Sequence, residues 1–419
     1  MPKKLLIVSY TFPPTSGIGG RRWAKFAKYL KRKGYDLTVL AADISSEQKS
    51  EWTSDIDGLN IERIPTNYPS IVSNPQPGLI NKFKYFATIK KLQLLVKGNY
   101  FDRTALWKES VQSKISDLIK SRGINCVIVT GGPFQLTHHV SSLKPKFPNV
   151  KFIVDFRDLW TQDSEITFFS VMPQSRKALE LEMEKQTVQW ADQVITTMES
   201  MSDYYSNLTD RNKIHTITNG FDKDDFSDLK NTERDNKDEI IFTYAGTLYL
   251  NLHYVLDPFL AAIGKIKTEK PDLYKKIKFN FIGKFPSEYV DYINQYNIKE
   301  AICIKGNKPL REVLSEIKKS DYCLLVLNDV YSFNLSTKFF EYIAMKRKVV
   351  VLSNKGTAPE FIVGNNLGYW INPSDAFKNL TDIINKRLTG ESQIWNSTYD
   401  IEQYSLESLT DKLIKVIEA

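Results

Sequence analysis

The sequence is short of the features that define several large classes of protein. Its 419 residues contain three cysteines, far apart from one another, and four histidines in no spacing typical of a metal site. An odd and dispersed set of cysteines provides no disulfide framework and suits a reducing compartment, so we expect a cytoplasmic protein. No apolar run approaches the roughly 18 residues of a membrane span. These absences argue against a disulfide-rich secreted domain, a structural metal domain and an integral membrane protein.

Positive charge is unevenly distributed along the chain. Residues 1–218 carry 30 lysines and arginines against 21 acidic residues, whereas residues 219–419 carry 27 against 28. The whole excess behind the formal charge of +8 therefore falls in the N-terminal half. Such an excess either serves solubility or attracts a polyanion or an anionic membrane face, and we expect no nucleic-acid partner.

Short apolar runs alternate with longer helical patterns through nearly the whole sequence. Several runs are apolar at every position, as in strands buried on both faces of a parallel sheet. Repeated strand–helix–strand units over this length predict a doubly wound α/β fold. The predicted strands are Leu5–Val8, Leu37–Leu40, Cys126–Val129, Phe152–Val154, Val194–Thr196, Ile240–Thr243, Lys278–Ile282, Tyr322–Leu327 and Val349–Leu352. The predicted helices include Arg22–Lys33, Ser110–Arg122, Ser175–Ala191, Lys338–Lys346 and Leu406–Glu418.

A charged segment separates two halves of this pattern. Of the 18 residues from Asp222 to Glu239, 12 are charged, so the segment lacks the apolar residues that a core needs. The Asn219-Gly220 pair before it predicts a turn, and a new strand follows it. We therefore expect an N-terminal domain over 1–218, a hinge over 219–239, a C-terminal domain over 240–400 and a closing helical segment over 401–419.

An insertion at about 66–104 interrupts the alternation. No acidic residue occurs from Arg63 to Phe101, while five lysines lie among leucines, isoleucines and phenylalanines between 79 and 97. One interpretation is a helix packed on the sheet. The other is a basic, apolar surface that lies on an anionic membrane, which would make the protein peripheral at the inner face of that membrane.

Glycines follow the first predicted strand and precede the first predicted helix. Gly17, Gly19 and Gly20 would let the backbone approach a phosphate, with the helix N-terminus and Arg22 supplying positive charge. The Gly17-x-Gly19 spacing, with Asp43 after the second strand, also begins the pattern of a nicotinamide-dinucleotide site. Arg22 in place of the third glycine, and a long connection that contains two prolines, argue against that alternative.

Charged residues lie just past the strand predicted at 152–154. The sequence VDFRDLW brings Asp155, Arg157 and Asp158 to the edge where open α/β sheets bind ligands. Carboxylates there orient an acceptor hydroxyl or stabilise positive charge on a sugar ring, so we predict catalytic roles for these three residues. The alternative is an Asp–Arg pair that braces a loop.

The strongest pattern for ligand binding is NLSTKFFEYIAMKRKVVVLS. Ser336 or Thr337 is predicted to cap a helix whose N-terminal amides face an anion. Lys338 and Glu341 lie three residues apart and so share one face of that helix. A cation for a diphosphate and a carboxylate for ribose hydroxyls are what a nucleotide-sugar site needs without a metal ion. The alternative is a surface ion pair.

In their order and spacing these motifs resemble family 4 of the glycosyltransferases, the retaining GT-B enzymes that build bacterial polysaccharides and glycolipids. The resemblance covers nearly the whole chain and includes the glycine loop, VDFRDLW, the AD-x-VITT segment at Ala191–Thr197, ITNGFDKDDF, YAGTLY, NFIG and KFFEYIAMKRKVV. It implies two facing Rossmann-like domains, with a nucleotide sugar bound by the C-terminal domain. The N-terminal domain would take the acceptor, a glycan or a polyprenyl-linked molecule. Retention of configuration, with no cofactor and no metal ion, is also implied.

The resemblance assigns roles to particular positions and shows two departures. Glu341 matches the second glutamate of the family's paired motif, which binds the ribose, whereas the first glutamate falls at Phe333 and is absent. YAGTLYLNLH lacks the arginine and lysine that many relatives carry for the diphosphate, which leaves more of that role to Lys338, the helix N-terminus and Arg22. The diphosphate-binding positions that the resemblance implies are Gly246, Thr247, Ser336, Thr337 and Lys338.

Three other functions stay open at this level. A sugar-nucleotide epimerase has the same architecture and needs no acceptor. A nicotinamide-dependent oxidoreductase would use the glycine loop, and a non-catalytic nucleotide-sugar-binding subunit would account for the missing glutamate. The family's acceptor-side histidine is not assigned, because His138 and His139 fall in a predicted helix and either suits a structural role.

Overall fold

The structure, a computed structural model, describes residues 4–15, 18–44, 50–162, 168–227, 229, 238–329, 335–391, 395 and 398–419. The chain divides into two compact units, one formed by the residues up to Thr218 together with Leu409–Ala419, the other by Asn219–Ser408. Gly17, Phe333 and much of the predicted hinge, including 230–237, lie outside the described residues.

The first unit is built on a parallel sheet that has seven strands in the described part of the chain. These strands are β1 (Lys4–Ser9), β2 (Asp36–Asp43), β3 (Asn60–Pro65), β4 (Cys126–Thr130), β5 (Lys151–Phe156), β6 (Gln193–Thr196) and β7 (Ile214–Thr216). They lie in the order β3-β2-β1-β4-β5-β6-β7. Leu5 of β1 is in register with Leu37 of β2 on one side and with Cys126 of β4 on the other. Strands β1, β4 and β5 are almost wholly buried, which explains their continuous apolar sequences.

Helices connect these strands. They are α1 (Arg21–Arg32), α2 (Ser70–Ser73), α3 (Leu79–Leu95), α4 (Lys108–Arg122), α5 (Gln135–Ser141), α6 (Gln174–Trp190) and α7 (Glu199–Ser206). Helix α1 buries Trp23 and Phe26. Helix α4 ends at Arg122, where Gly123 adopts the left-handed conformation that closes many helices.

The second unit has its own parallel sheet, with six strands among the described residues. These are β8 (Ile240–Ala245), β9 (Ile277–Ile282), β10 (Ile302–Gly306), β11 (Tyr322–Val326), β12 (Lys348–Leu352) and β13 (Gly368–Ile371). They lie in the order β10-β9-β8-β11-β12-β13. The core of this unit includes Phe242, Phe279 and Tyr322, whose stacked rings come from three neighbouring strands.

The helices of the second unit complete the alternation with its strands. They are α8 (His253–Glu269), α9 (Pro271–Tyr274), α10 (Glu288–Gln295), α11 (Leu310–Lys319), α12 (Thr337–Ala344), α13 (Thr357–Gly364), α14 (Ala376–Leu388) and α15 (Leu406–Glu418). Helix α15 begins within the second unit, and its residues from Leu409 onward belong to the first. There Lys151 of β5 donates hydrogen bonds to the carbonyls of Val416 and Ile417, and Lys33 pairs with Asp411.

Candidate functional site

In each sheet, the direction in which the chain adds successive strands reverses at one pair of neighbouring strands. In the first unit the chain builds outward from β1 to β3 and then crosses back to form β4 on the other side of β1. In the second unit it does the same, so that β8 and β11 are the neighbours at the reversal. Ligands of open α/β sheets bind outside the carboxyl ends of the strands at such reversals. The fold therefore points to two places in the molecule, one in each unit.

In the second unit, glycines keep the reversal clear of side chains. Gly246 directly follows β8 and has a φ of +134°, and Gly283 directly follows β9 with a φ of +122°. These backbone conformations suit glycine and strain other residues. A Cβ atom on Gly246 would overlap Lys338 Nζ, and one on Gly283 would overlap the Gly246 carbonyl. Glycine is thus required at both positions by the conformation and by the close approach of neighbouring groups.

Lys338 of α12 reaches back across the reversal to the end of β8. Its Nζ donates a hydrogen bond of 3.1 Å to Tyr244 Oη and lies 4.6 Å from the centroid of the Tyr244 ring. Tyr244 Oη in turn donates to the Thr247 carbonyl at 2.9 Å. The tyrosine therefore holds the ammonium group beside the Gly246 turn, where the side chain is half-buried.

A second contact fixes α12 against β8. The amide of Ala245 donates to Tyr342 Oη at 3.2 Å, and Tyr342 is fully buried. Thr337 is the first residue of the helix and Ser336 precedes it as the N-cap, although its side chain makes no capping bond. Ser336 Oγ is buried without a hydrogen-bond partner in the described part of the chain. Glu341 lies one turn further along α12 and is half-buried.

In the first unit, a cavity of about 320 Å³ lies at the corresponding reversal between β1 and β4. Residues that follow β1, β4 and β5 line it, and so does the loop after α3. The lining includes five aromatic side chains, two arginines and two aspartates. Its members are Tyr10, Thr11, Asn99, Phe101, Asp102, Arg103, Gly132, Pro133, Phe134, Arg157, Asp158, Trp160 and Phe168.

Two buried carboxylates hold the wall of this cavity. Asp102 accepts hydrogen bonds from the amides of Thr104, at 2.8 Å, and Gln135, at 3.0 Å. Glu180 accepts from the Asn99 amide at 2.6 Å, from Gln135 Nε2 at 2.7 Å and from Trp160 Nε1 at 2.8 Å. Burial raises the pKa of both carboxyl groups above its ordinary value, although these donors oppose the shift. The loop before α4, the start of α5 and the Trp160 ring are thereby tied together.

Arg157 and Asp158 both line the cavity. Arg157 is itself tied to the backbone, since it donates to the carbonyls of Gly19 at 2.8 Å and Gly131 at 2.9 Å. The arginine therefore joins the glycine loop after β1 to the turn after β4. The aspartate follows it at the cavity edge and is half-buried.

Asp155 and Arg22 lie in the interior and contact each other. Asp155 is fully buried, and its carboxylate accepts from Arg22, from Trp23 Nε1 at 2.7 Å and from Thr130 Oγ1 at 3.0 Å. The remaining bonds of Arg22 run to the carbonyls of Ile217 and Thr218. Burial lowers the pKa of Arg22, and the charge of Asp155 opposes that shift. The two side chains brace the glycine loop against the sheet, and neither lines the cavity.

The glycine loop has a packing role in this structure. A Cβ atom on Gly20 would lie 3.0 Å from the Thr11 carbonyl and 3.2 Å from Pro13 Cδ, so glycine lets α1 start close to the chain that leaves β1. A Cβ atom on Gly19 would meet only ordinary contacts, and the Gly19 carbonyl accepts a hydrogen bond from Arg157. In the described part of the loop, the backbone therefore packs against neighbouring residues of the same unit.

His138 and His139 of α5 are buried away from the cavity lining. His138 stacks on Trp190 with ring centroids 5.3 Å apart, and His139 Nε2 bonds the Thr104 carbonyl at 3.1 Å. Burial lowers the pKa of His138 to about 4 and that of His139 to about 3. Both imidazoles are therefore neutral at neutral pH and pack as core side chains.

The described residues offer neither a metal site nor a membrane span. No group of three or more histidine, cysteine, aspartate or glutamate side chains is placed there to hold a metal ion. Within the same residues, no helix has both the length and the apolar character needed to cross a membrane.

Comparison with known proteins shows similarity of structure without similarity of sequence. No protein-family model and no curated protein matches the sequence. Sucrose-phosphate synthase from Thermosynechococcus elongatus has a similar structure, with a TM-score of 0.65 at 12% identity over 99% of this chain and 98% of that one. WaaG, a glycosyltransferase involved in lipopolysaccharide biosynthesis, gives 0.59 at 11% identity over 97% and 99%. UDP-GlcNAc 2-epimerase from Neisseria meningitidis, bound to UDP-GlcNAc, gives 0.58 at 13% identity over 99% of both chains.

The predicted α/β fold with two Rossmann-like, doubly wound domains is confirmed, and it is the GT-B fold. Its structural neighbours include glycosyltransferases and sugar-nucleotide epimerases. At this level of identity the likeness establishes the fold and leaves the reaction to be argued from the site.

Several residues that shape the two places escaped the sequence analysis. Asp102 and Glu180 act through hydrogen bonds between distant segments, for which the sequence carries no pattern. Tyr244 and Gly283 fall within YAGTLY and NFIG, two of the segments that carry the resemblance, but neither residue was given a role.

Proposed function

We propose that this protein is a glycosyltransferase that moves a sugar from a nucleoside-diphosphate sugar to an acceptor hydroxyl. The observation that supports it most is the ammonium group of Lys338, which Tyr244 holds beside the glycine turn of Gly246 at the reversal of the second sheet. A cation beside a glycine turn, whose backbone a ligand can approach closely, suits the binding of a diphosphate. Structural neighbours whose names include glycosyltransferase and UDP-GlcNAc fit the same reading.

In this proposal the donor lies across the start of α12. The diphosphate takes the N-terminal amides of the helix, whose dipole favours negative charge, together with Lys338 and the backbone turn at Gly246 and Thr247. Ser336 Oγ, buried without a partner in the described part of the chain, supplies a further donor from the N-cap, beside Thr337.

Glu341 is proposed to bind the ribose. It lies one helical turn after Lys338 and so follows the diphosphate position along the same helix. This is the role that the resemblance to family 4 assigns to it. The family and the retention of configuration belong to the proposal as well.

The proposed reaction needs little chemistry from protein side chains. The bond between the anomeric carbon and the diphosphate breaks, which leaves an oxocarbenium-like sugar. The acceptor hydroxyl then forms the new bond from the same face, and its proton passes to the departing phosphate. Catalysis rests on orientation and on stabilisation of the leaving diphosphate, to which Lys338 contributes most directly.

The cavity of the first unit is proposed to take the acceptor, a glycan or a polyprenyl-linked molecule. Its aromatic lining suits the apolar faces of sugar rings, and Asp158 and Arg157 offer polar contacts at its edge. Asp155, which was predicted to act beside them, braces this wall from the interior.

An epimerase is the second candidate, since one structural neighbour is a UDP-GlcNAc 2-epimerase. The two reactions differ in their need for an acceptor. An oxidoreductase fits the first unit less well, because Gly20 packs against Thr11 and Pro13 where a dinucleotide would need open backbone.

The test is product analysis with the purified chain. A panel of UDP-, GDP-, ADP- and dTDP-sugars is incubated with and without a lipid or glycan extract, and the products are followed by nuclear magnetic resonance. Acceptor-dependent release of the nucleoside diphosphate, with a new glycosidic bond, supports the proposal. Interconversion of two nucleotide sugars without an acceptor would establish the epimerase, and no turnover on any donor would favour a binding subunit.

A further inference from the structure

Exposed apolar side chains of the first unit are concentrated in two segments. Every large hydrophobic residue that is exposed among the described residues of this unit lies either on α3 or between Phe168 and Leu181. On α3 the exposed fractions run from 55% to 88%. Solvent-exposed apolar residues are ordinary when scattered, whereas a group of this size marks an interaction surface. The members are Leu79, Ile80, Phe83, Phe86, Leu94 and Leu95 on α3, with Phe168, Val171, Leu179 and Leu181.

Helix α3 is packed on the unit through its C-terminal half. Ile89, Leu92 and Val96 are buried in a cluster with Tyr68 and Tyr100. The exposed residues therefore belong to a helix that is already packed, and they face away from the core of the unit.

The segment after Phe168 is attached to the end of α3. Arg176 donates hydrogen bonds to the carbonyls of Gln93, Val96, Lys97 and Gly98, and so binds the last turn of the helix. The rings of Phe101 and Phe168 also lie 4.7 Å apart. The two exposed groups are thus joined at the C-terminal end of α3, and together we call them the α3 face.

The charge of the α3 face has one sign. No acidic residue occurs from Arg63 to Phe101, and between Phe168 and Leu181 the one acidic residue, Glu180, is buried. Four exposed lysines lie on α3 and a fifth lies two residues beyond its end; they are Lys82, Lys84, Lys90, Lys91 and Lys97. On α3, apolar and cationic side chains are therefore interleaved with no anionic group among them, and the nearest exposed acid along the second segment is Glu182, directly after Leu181.

We propose that the α3 face binds the surface of a membrane that contains anionic lipid. Phenylalanine and leucine side chains enter the boundary between headgroups and acyl chains, while lysines extend to the lipid phosphates. A second copy of the chain is a poor occupant, because it would bring one lysine-rich face against another. The binding is peripheral, and no part of the helix spans the bilayer.

The α3 face adjoins the cavity of the first unit. The chain leaves α3 through Asn99, Phe101 and Arg103, which line that cavity, and Phe168 belongs both to the lining and to the face. If the proposed function holds, a lipid-linked acceptor held in the bilayer would reach the cavity directly. This extension rests on the proposed transferase activity, whereas the membrane binding does not.

Sedimentation with lipid vesicles tests the binding itself. The full chain is mixed with vesicles of phosphatidylcholine alone and with vesicles containing about one third phosphatidylglycerol. We expect binding to the second and little to the first, because each lysine near an anionic surface adds to the attraction. The change Lys82, Lys84, Lys90 and Lys91→Glu should lower the partition coefficient at least about a hundredfold.

A matched control reverses four exposed lysines of the second unit. The variant with Lys270, Lys275, Lys276 and Lys299→Glu changes the net charge by the same amount and should still bind. Equal binding by the native chain and the α3 variant would overturn the proposal. So would absence of native binding together with a dimer in solution that the α3 variant abolishes, since a second copy would then be the occupant.

Fluorescence locates the contact independently of any charge change. The native chain has seven tryptophans, so each variant is compared with it. Phe83→Trp should add a blue-shifted component on anionic vesicles that brominated lipid quenches, whereas Leu388→Trp in the second unit should add neither the shift nor the quenching. If bound Phe83→Trp protein shows no more quenching than the bound native chain, the contact lies elsewhere and the proposal is overturned. If the native chain binds vesicles but transfers no sugar, the proposed function is contradicted and the membrane site still stands.

Discussion

The strand order reverses at equivalent strand pairs in the two sheets, yet the residues gathered there differ in kind. At the reversal of the first sheet, the buried carboxylates of Asp102 and Glu180 hold the wall of a cavity that has five aromatic side chains in its lining. At the reversal of the second sheet, two glycines clear the backbone and Lys338 stands beside them. Strand order therefore selects the place where a ligand binds, and the residues that follow each strand select the kind of ligand.

Charged side chains also differ in role between the two units. In the first unit, Asp155 and Arg22 satisfy each other in the interior. In the second unit, Lys338 is half-buried and directed across the end of a strand. The same residue types thus serve stability in one half and, by our proposal, binding in the other.

Removal of Asp155 should have the largest effect, and that effect should be on stability. Asp155→Ala leaves the buried guanidinium of Arg22 without its partner, which costs about 3–5 kcal/mol of the free energy of unfolding. The measurement is denaturant unfolding of the full chain, followed for the transition of the first unit. Asp117→Ala, at an exposed acid of the same unit, should change that transition little. Equal losses in both variants would contradict the bracing role.

Removal of Lys338 should have the reverse pattern. Lys338→Ala should lower turnover by about 10²–10³, the effect of removing one preorganised donor, and leave the free energy of unfolding nearly unchanged. Steady-state kinetics with the donor identified in the panel provides the measurement. Lys378→Ala, at an exposed lysine of the same unit, is the control. Full turnover by the Lys338 variant would remove the main support for the donor site.

Acid should weaken the first unit through its buried histidines. Because burial depresses the folded pKa of His138 to about 4, the unfolded chain takes up a proton below about pH 6.5 that the folded chain does not. Stability should therefore fall as the pH drops from about 6.5 to 4, by up to about 3 kcal/mol for this residue. His138→Phe, which keeps the packing on Trp190, should reduce that loss. If the native chain and the His138→Phe variant show the same dependence of unfolding on pH, folding does not depress the pKa of His138.

A methyl group at Gly246 should have the smallest of these effects and should fall on binding. Gly246→Ala places a Cβ against Lys338 Nζ and strains the backbone, so affinity for the nucleoside diphosphate should drop about tenfold. Gly390 also has a positive φ but has open space around it, and Gly390→Ala therefore controls for strain alone. Titration calorimetry measures both variants. Equal affinities would mean that the turn does not approach the ligand.

The sequence predicts the interior strands of each sheet and misses its edge strands. All nine predicted strands lie within or overlap observed strands, because the central strands are continuous apolar runs. The four strands that it missed are β3, β7, β10 and β13, which are the four edges of the two sheets. Edge strands are exposed along one side and carry polar residues such as Glu62 and Lys305, so their apolar pattern is weak.

The site was predictable only where its residues are adjacent in the chain. Lys338 and Glu341 share one helix, and helical spacing alone placed them together. The contact of Lys338 with Tyr244 and the hydrogen bonds of Glu180 with Asn99 join segments far apart in sequence, and no local pattern reports them. Asp155 illustrates the same difficulty, because its position after a strand does not reveal that Arg22 and Trp23 enclose it.

Thermal unfolding against a panel of ligands tests the donor site most directly. Nucleoside diphosphates, their sugars, NAD and NADP are added to the native chain and to the Lys338→Ala and Glu341→Ala variants. A ligand at about 100 times its dissociation constant adds roughly 2.7 kcal/mol to the unit that binds it. We predict that one nucleoside diphosphate and its sugar raise the unfolding temperature of the native chain and lose that effect in both variants. A rise with NAD or NADP alone would contradict the donor site and point to an oxidoreductase.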